Sequence, residues 1–244
     1  MKQLLIFLHP SKGFNDETEK LAKIQIDNSF ELGWKAEDTI VITNFPYEYR
    51  GVKALEVGDE NFSRIIPQCT KIDTVCTLFD QGFFKEGELY WAHDFDAVQN
   101  AVITEEELEL GERMGFTDYG RHDRWNGGSY FFRSTDGDFF RKTKKLMYDR
   151  NINEEDAWMV MMKEEPEYME KNLKRLNISY NFGIKQMELC YNKSIKPVKV
   201  LHFHPDRVYR GWGRAMEIVK GKNEINQVLM LERLIQIFKK HGYE

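Results

Sequence analysis

The first apolar run of the chain reads Leu4-Leu5-Ile6-Phe7-Leu8 and is broken by His9-Pro10. A short continuous apolar run is typical of a β-strand that is buried on both faces of a parallel sheet. Residues 16–34 follow with apolar side chains at helical spacing, and Thr39-Ile40-Val41-Ile42-Thr43 is a second apolar run. A strand, a helix and a second strand over so short a distance form a right-handed crossover unit. The sequence therefore predicts an α/β fold that begins with parallel strands.

Later segments extend this pattern without an internal repeat or a linker long enough to divide two domains. We predict further strands at residues 88–93, 129–133 and 197–204. We predict further helices at residues 62–84 with a start or kink at Pro67, 105–112, 138–150, 154–176 with a break at Pro166, and 223–241. The whole chain, residues 1–244, is expected to form a single domain.

Composition limits the classes of protein that fit. Apolar residues make up 41% of the 244 residues and charged residues 31%, which allows a sizeable core and excludes intrinsic disorder. The net charge of −5 excludes a broad cationic surface. A nucleic-acid partner would need a local basic patch, and an anionic ligand would need a bound cation.

The three cysteines, Cys69, Cys76 and Cys190, are too few for a disulfide framework. Cys69 and Cys76 lie a heptad apart in a predicted helix, so we expect buried free thiols and a reducing compartment. The apolar run at residues 4–8 is too short for a signal peptide, and no segment is long enough to cross a membrane. We therefore expect a cytoplasmic protein, in the host cytoplasm if the chain is viral.

Two acidic residues, in Asp94-Phe95-Asp96, directly follow the predicted strand at residues 88–93. Ligands of open α/β sheets gather at the carboxyl ends of strands. Carboxylates at positions i and i+2 around a turn can converge on one hard divalent cation, which would neutralise a diphosphate. The alternative is a solvated loop with two surface acids.

Two imidazoles, in His202-Phe203-His204, lie at the end of the predicted strand at residues 197–204. Side chains at i and i+2 of an extended segment face the same side, and imidazole is a common ligand for Mn²⁺ or Zn²⁺. Either histidine alone would more often be structural. Because a carboxylate pair and an imidazole pair each end a strand, the sequence predicts one shared metal ion.

Two further segments are candidates for sugar binding. Trp125-Asn126-Gly127-Gly128-Ser129 precedes the strand expected at Tyr130, where glycines allow close backbone approach and Asn126 can bond hydroxyls. A plain turn is the alternative. Glu154-Glu155-Asp156 opens a predicted helix, where acids either cap the helix or supply a carboxylate near the reacting carbon.

The order of these segments resembles that of a glycosyltransferase of the GT-A fold. It is similar to glycogenin-like, retaining enzymes and also to inverting galactosyltransferases, and the resemblance covers most of residues 3–206. It implies a Rossmann-like, mostly parallel central sheet flanked by helices. It also implies a nucleotide-binding half over about residues 1–100 and an acceptor half over about residues 101–244.

The resemblance assigns roles to the metal candidates. It places Asp94 on the ribose and metal side of the site and gives Asp96 direct metal binding. It assigns one or both of His202 and His204 to the same ion, expected to be Mn²⁺ or Mg²⁺. Asp156 corresponds to the catalytic base of the inverting pattern or to a sugar-hydroxyl contact of the retaining pattern.

The resemblance also implies a donor site for a nucleotide-diphosphate sugar, with a UDP-sugar as the expected donor. Loops after the first two strands would hold the base and ribose, and basic side chains would contact the phosphates. The substrate-binding residues predicted in addition to Asp94 are His9, Thr43, Asn44, Lys71, Asn126, Gly127, Gly128, Glu155, Arg207 and Arg210.

The chemistry expected of such a site follows from charge. Cleavage between the anomeric carbon and phosphate leaves a nucleoside diphosphate with added negative charge, which a divalent ion stabilises as a Lewis acid. If Asp156 deprotonates the acceptor hydroxyl, the configuration inverts. Without a suitably placed base, attack on the same face assisted by the leaving phosphate is the alternative, and the sequence leaves both courses open.

Two other function classes use similar residues. Clustered Asp and His also build metal-dependent phosphoesterases and nucleases, and aromatic residues build non-catalytic carbohydrate-binding proteins. The acceptor also stays open among saccharides, lipid-linked groups, proteins and DNA. Phage and large-virus enzymes of this general kind glycosylate modified DNA bases, whereas the acidity of the chain argues mildly against a DNA acceptor.

Overall fold

The computed structural model describes residues 1–64, 66–67, 69–120, 124–184, 190–203 and 229–243. Within these ranges the strands are β1 (Lys2–Phe7), β2 (Thr39–Thr43), β3 (Glu48–Tyr49), β4 (Val52–Lys53), β5 (Leu55–Glu56), β6 (Leu89–His93), β7 (Ala97–Gln99), β8 (Met114–Asp118), β9 (Trp125–Arg133), β10 (Leu173–Arg175), β11 (Phe182–Gly183) and β12 (Val200–His202). The α-helices are α1 (Asp16–Glu31), α2 (Cys69–Asp80), α3 (Glu105–Leu108), α4 (Gly137–Arg150), α5 (Glu154–Glu164), α6 (Pro166–Asn172) and α7 (Glu232–Lys240).

A seven-stranded sheet in the order β10-β8-β9-β6-β1-β2-β5 forms the centre of the protein. Strand β1 is parallel to β2 and β6, β2 is parallel to β5, and β10 is parallel to β8. Strand β9 alone runs antiparallel to its neighbours, β6 and β8. The predicted α/β fold with a mostly parallel central sheet is therefore confirmed.

The core lies on both faces of this sheet, because successive residues of a strand point to opposite faces. One cluster of buried side chains includes Leu5, Val41, Ile24 and Phe238. A second includes Leu4, Ile42, Val75 and Phe140, and a third includes Trp91 and Phe131. Burial on both faces explains why β1 and β2 read as continuous apolar runs rather than alternating ones.

The first crossover agrees closely with the sequence prediction. Helix α1 begins after Asn15, whose side-chain oxygen accepts a hydrogen bond of 2.8 Å from the backbone N–H of Thr18. It ends at Glu31, two residues before Gly33, where the sequence predicts the end of the helix, and Gly33 has a φ of +90°. Strand β2 has the predicted bounds.

Several other boundaries differ from the prediction. Helix α2 spans Cys69–Asp80 rather than residues 62–84. It does not extend back through Pro67, because the residue before a proline avoids helical backbone angles. Helix α3 ends at Leu108, since Glu109 takes a left-handed φ of 46°, and the unpredicted strand β8 follows. The expected helix at 154–176 is two helices separated at Pro166, and its last residues belong to β10.

Strand β9 corrects the prediction that Asn126, Gly127 and Gly128 precede a strand. The strand begins at Trp125, so these three residues lie inside it. The pairing of β9 with β8 shifts register between Phe116 and Thr117 and then continues through Asn126. A β-bulge of this kind lets a strand continue past an irregular step.

A smaller sheet, in the order β11-β12-β7, lies beyond the end of β6. Strand β12 spans Val200–His202, shorter than the predicted 197–204, and runs antiparallel to β7 and parallel to β11. Of the terminal helix predicted at residues 223–241, the structure gives α7, Glu232–Lys240. Residues 223–228 of the predicted range lie outside the described residues.

Two predictions from composition can be compared with the structure. All three cysteines are buried and free, as expected. Within the described ranges, no helix has the length and apolar character that a membrane span requires.

Candidate functional site

Three predicted metal ligands come together at the end of β6. Asp94, Asp96 and His202 each offer one ligand atom, and these atoms lie within 4.8 Å of one another. The imidazole Nε2 of His202 is 3.4 Å from Asp96 Oδ1 and 3.9 Å from Asp94 Oδ2. The carboxylates of Asp94 and Asp96 and the imidazole of His202 thus face one small space.

The backbone of the two sheets brings these residues together. In the turn between β6 and β7, the N–H of Ala97 donates to the carbonyl of Asp94 at 2.9 Å. Strand β12 pairs with β7 so that His202 lies opposite Ala97, and the N–H of Phe203 donates to the carbonyl of Asp96 at 2.9 Å. The smaller sheet therefore fixes His202 beside the acidic turn.

His93 supports the same turn from the core. Its Nδ1 lies 2.9 Å from the carbonyl oxygen of Ala97, and its ring stacks on Trp91 with centroids 3.8 Å apart. Burial lowers the pKa of His93 to about 4, so the ring is neutral near neutral pH. The stacking on Trp91 and the contact with Ala97 place His93 where it supports the turn that carries Asp94 and Asp96.

Lys71 of α2 balances part of the acidic charge. Its ammonium donates to Asp94 Oδ1 at 2.7 Å and to the carbonyl oxygen of Gly127 at 2.6 Å. Burial alone would lower the pKa of Lys71, but Asp94, Tyr130 and Glu154 together outweigh burial and the pKa is raised. Lys71 therefore stays charged and bridges α2, the acidic turn and β9.

The donor set fits a divalent cation. Two carboxylates and an imidazole suit Mn²⁺, and the carboxylates also suit Mg²⁺. Burial disfavours the imidazolium form of His202, but the charges of Asp96 and Asp94 outweigh burial and raise its pKa. The same negative field that attracts a proton to His202 would attract a metal ion.

The glycines of β9 are close to these groups. A Cβ built on Gly128 would lie 2.0 Å from Cε1 of His202, and one built on Gly127 would lie 3.1 Å from Oε1 of Glu154. The carbonyl of Gly128 also accepts from the N–H of Asp94 at 2.9 Å. The missing side chain at Gly128 therefore makes room for the imidazole, a role different from the ligand approach inferred from the sequence.

Asn126 is buried beneath the site rather than exposed to it. It is 1% exposed, and its Oδ1 accepts from the N–H of Gly128 at 2.9 Å. This bond fixes the backbone of Gly128, next to His202. The predicted contact of Asn126 with sugar hydroxyls stays a prediction.

Glu155 is engaged by protein groups on several sides. Its carboxylate accepts from the Tyr119 hydroxyl at 2.8 Å, from Arg124 Nε at 3.0 Å and from the N–H of Gly127 at 3.0 Å. Arg124 also pairs with Asp156 at 3.1 Å, and the Asp156 side chain is 42% exposed. Glu155 therefore joins α5 to the strand that carries the glycines, while Asp156 faces solvent beside Arg124.

Helix capping in this segment comes from a different residue. The side chain of Asn153 accepts from the N–H of Asp156 at 2.9 Å and caps α5. The acids at residues 154–156 are thus not needed as the cap, although they favour the helix dipole.

A cavity of about 490 Å³ opens at the carboxyl end of β1, and one candidate metal ligand, Asp94, lines it. It is lined by Ile6, Phe7, Leu8, His9, Phe62, Pro67, Thr70, Lys71, Asp94 and Glu154. It contains His9, Lys71 and Asp94 from the predicted donor site, so those three residues share one cleft.

Thr43 and Asn44, also predicted to bind the donor, do not line this cavity. Thr43 is buried and its hydroxyl donates to the carbonyl of Phe45. The Asn44 amide exchanges hydrogen bonds with the backbone of His9, at 2.9 Å and 3.0 Å, and reaches Asp59. Asn44 therefore joins the loops after β1 and β2, whereas the Thr43 hydroxyl bonds within the loop after β2. The predicted residues His204, Arg207 and Arg210 lie outside the described residues.

Glu154 lies at the candidate site, although the sequence predicts only its neighbours Glu155 and Asp156 as site residues. It lines the cavity, and burial raises its pKa to about 7, although the charge of Lys71 opposes the shift. A signal was available, because Ala157, Trp158 and Met161 recur at helical spacing from residue 154. That spacing places Glu154 on the buried face of α5.

Asn181 is a second residue at the candidate site that the sequence does not predict. Its Oδ1 lies 2.9 Å from Nδ1 of His202, which is 21 residues further along the chain. No spacing rule relates the two positions, so the sequence carried no signal for this contact.

No protein-family model matches the chain, and no curated protein matches it in sequence. Solved structures do resemble it. The galactosyltransferase LgtC, in complex with donor and acceptor sugar analogues, aligns with a TM-score of 0.63 at 13% identity, over 98% of this chain and 96% of LgtC.

Two other solved structures agree. A glycosyltransferase involved in glycosylation of the major capsid of PBCV-1 aligns with a TM-score of 0.56 at 10% identity, over 88% of this chain and 100% of that one. The apo form of GlyE from Streptococcus pneumoniae TIGR4 aligns with a TM-score of 0.59 at 13% identity, over 98% of this chain and 59% of GlyE. The chain therefore has the fold of the GT-A glycosyltransferases.

Proposed function

We propose that this protein is a metal-dependent glycosyltransferase that moves a sugar from a nucleotide-diphosphate donor, expected to be a UDP-sugar, to an acceptor hydroxyl. One observation carries the proposal: Asp94, Asp96 and His202 converge beside a cavity at the carboxyl ends of the central strands of a GT-A fold. Strand ends of this kind are where α/β folds bind nucleotides.

The residues around the site support binding of a diphosphate through a cation. Asp94, Asp96 and Lys71 together carry one net negative charge when His202 is neutral. A divalent ion held by Asp94, Asp96 and His202 would change this to one net positive charge. That ion, Mn²⁺ or Mg²⁺, would supply Lewis-acid stabilisation of the leaving diphosphate.

The chain's own groups would then hold and orient the donor. The cavity wall at Phe7, Leu8 and Phe62 is apolar and suits the flat face of a base or a sugar ring. Lys71 lines the same cavity and keeps a fixed positive charge there. We place donor binding mainly in residues 1–100 of a single domain, and acceptor binding in residues 101–244.

The proposed role of Asp156 depends on the stereochemical course. Its carboxylate is partly exposed and is oriented by Arg124 at 3.1 Å, so it is accessible to an acceptor. If Asp156 removes the proton of the acceptor hydroxyl, the enzyme inverts the configuration of the sugar. Asp156→Asn should then abolish turnover and leave donor binding unchanged. A retained configuration in the product would instead leave Asp156 as a sugar contact.

The decisive test is thermal unfolding with nucleoside diphosphates and nucleotide sugars, with and without Mn²⁺. A ligand at roughly 100 times its Kd adds about 2.7 kcal/mol to the free energy of unfolding, which is readily measured. We expect UDP or a UDP-sugar to stabilise the protein only with the metal present. The variants Asp96→Asn and His202→Gln should lose this effect.

A matched control is Asp138→Asn, because Asp138 is an almost fully exposed acid that pairs with Arg141 one turn away. It should behave as wild type. Absence of metal-dependent stabilisation by every donor tested would contradict the proposed function. Release of phosphate or cleavage of a phosphodiester without a sugar donor would favour a hydrolase instead.

A further inference from the structure

Asn181 contacts the ring nitrogen of His202 that does not face the acids. Its Oδ1 lies 2.9 Å from Nδ1 of His202, whereas Nε2 faces Asp96 and Asp94. Both partners are buried, with 1% of Asn181 and 3% of His202 exposed. A buried contact of this kind excludes water as a competing acceptor for the ring.

A backbone carbonyl favours one orientation of the Asn181 amide. The Nδ2 of Asn181 is directed at the carbonyl oxygen of Asn126 at 3.5 Å. A carbonyl oxygen only accepts hydrogen bonds, so the reversed amide would set two oxygens against each other. The orientation that satisfies Asn126 therefore turns Oδ1 towards His202.

The elements around this contact are fixed. Asn126 is paired with Thr117 within the central sheet, so its carbonyl cannot easily move. Asn181 ends a short 3-10 helix just before β11, and β11 pairs with β12 so that Gly183 lies opposite His202. Both Asn181 and His202 are thus held by neighbouring strands.

The contact with Asn181 bears on which nitrogen of a neutral imidazole carries the proton. An amide oxygen accepts, so the proton on Nδ1 is favoured and the lone pair of Nε2 is directed at the acids. Asp96 at 3.4 Å would favour the opposite arrangement, with the proton on Nε2. Asn181 is therefore the acceptor that competes with Asp96 for the proton of His202.

We infer that Asn181 is a positioning residue that holds neutral His202 as the Nδ1–H tautomer, with the Nε2 lone pair presented to the space shared with Asp94 and Asp96. This role of Asn181 rests on the proposed function, since a metal ion would bind through Nε2 of His202. Partners on the second nitrogen of a metal-binding histidine fix its tautomer and orientation, and their loss typically costs about 10- to 100-fold in metal affinity.

The first test reads the tautomer directly. Long-range ¹H–¹⁵N NMR of the histidine side chains, at alkaline pH where imidazole is neutral, should place the His202 proton on Nδ1 in wild type. The His202→Gln variant assigns the signals by their loss. Asn181→Leu, which has a similar shape and no acceptor, should move the proton to Nε2, and Asn181→Asp, which keeps an acceptor, should leave it on Nδ1.

The second test measures Mn²⁺ affinity of the same proteins by calorimetric titration. We expect Asn181→Leu to bind Mn²⁺ about 10- to 100-fold more weakly and Asn181→Asp to bind at least as tightly as wild type. If Asn181→Leu does not fold, the wild-type tautomer and the Asn181→Asp variant still decide the matter.

The outcomes separate this inference from the proposed function. A proton on Nε2 in wild type, or Asn181→Leu with unchanged tautomer and unchanged Mn²⁺ affinity, would overturn the positioning role. A wild-type protein with Nδ1–H that fails to bind Mn²⁺ would support the positioning role and contradict the proposed metal dependence.

Discussion

The imidazole of His202 occupies the space that a side chain on Gly128 would fill. A Cβ at Gly128 would lie 2.0 Å from Cε1 and 2.4 Å from Nδ1 of that ring. Real atoms do not approach so closely, and the ring is confined between β9, Asn181 and the acidic turn. The glycine of one strand therefore sets the position of a metal-ligand candidate on another.

This relationship predicts that Gly128→Ala displaces the His202 ring. We expect the variant to lose Mn²⁺ affinity by at least about tenfold, the size of effect seen when a metal ligand loses its orientation. Gly127→Ala should have a smaller effect, because its Cβ would meet Oε1 of Glu154 at 3.1 Å rather than the His202 ring at 2.0 Å. Mn²⁺ titration of both variants measures the difference.

A matched glycine control is Gly13→Ala, whose Cβ would have no heavy atom within 4 Å. It should bind Mn²⁺ as wild type does. Wild-type affinity in Gly128→Ala would mean that His202 is not part of a metal site.

The position of Lys71 predicts opposite effects on metal and diphosphate binding. Lys71→Met removes the cation that donates to Asp94 Oδ1 at 2.7 Å, so the acids attract Mn²⁺ more strongly. The same change removes a positive charge from the cavity that we assign to the nucleotide-sugar donor. We expect tighter Mn²⁺ binding and weaker UDP binding, each by roughly tenfold, or about 1.4 kcal/mol.

Calorimetric titration of Mn²⁺ and of UDP with Mn²⁺ present separates the two effects. Lys12→Met is the control, because Lys12 is mostly exposed and pairs with Asp59 on the surface. Parallel weakening of both ligands in Lys71→Met would point to general damage of the site rather than to a charge effect.

The sequence predicted the elements whose signals are local. The β1–α1–β2 unit follows from continuous apolar runs and a capping asparagine, and Asp94 and Asp96 were located because they follow such a run directly. Strand β8 was missed because its segment, Met114–Asp118, holds a glycine and lacks a strong apolar run. Its burial comes from β9 and β10 on either side.

Contacts between distant parts of the chain were beyond the sequence. Nothing in the spacing of Gly128, Asn181 and His202 shows that they touch, because their contact arises only when the smaller sheet packs beside β9. Glu154 differs, since its helical phase with Trp158 was readable. The helical spacing of Glu154 with Trp158 places it on the buried face of α5, whereas the predicted site residues are its neighbours Glu155 and Asp156.

The raised pKa of Glu154 predicts a loss of stability with rising pH. Its pKa is about 7 in the folded protein and 4.5 as the unfolded reference value, so between these values the folded state binds more protons. The free energy of unfolding should then fall as pH rises from about 4.5 to about 7, by up to about 3 kcal/mol. Glu154→Gln, which cannot ionise, should lack this decrease and be more stable than wild type above pH 7.

Denaturant unfolding of wild type and Glu154→Gln across this range measures the effect. Glu164→Gln serves as the control, because Glu164 lies at the exposed end of the same helix and pairs with Arg150. Parallel pH curves for wild type and Glu154→Gln would show that Glu154 does not carry the proton.

Asp27 predicts the opposite pH dependence in a lower range. Its buried carboxylate accepts from Arg50 and Lys240, both at 2.6 Å, and lies 3.0 Å from His241 Nε2, which ties α1 to the end of α7. Burial would raise the pKa of Asp27, but these partners outweigh it and lower the pKa to about 2. The charged form is therefore stabilised by folding, by about 2 kcal/mol above pH 4.

That stabilisation should disappear as pH falls from about 4 to about 2, because the carboxylate is then protonated in the folded protein. Asp27→Asn should be less stable than wild type by about 2 kcal/mol near neutral pH, and the difference should shrink in acid. Denaturant unfolding at both pH values tests this, with the exposed acid Asp80 as the site of a control, Asp80→Asn. If the difference in free energy of unfolding between wild type and Asp27→Asn stays constant down to pH 2, the charge of Asp27 does not contribute to stability.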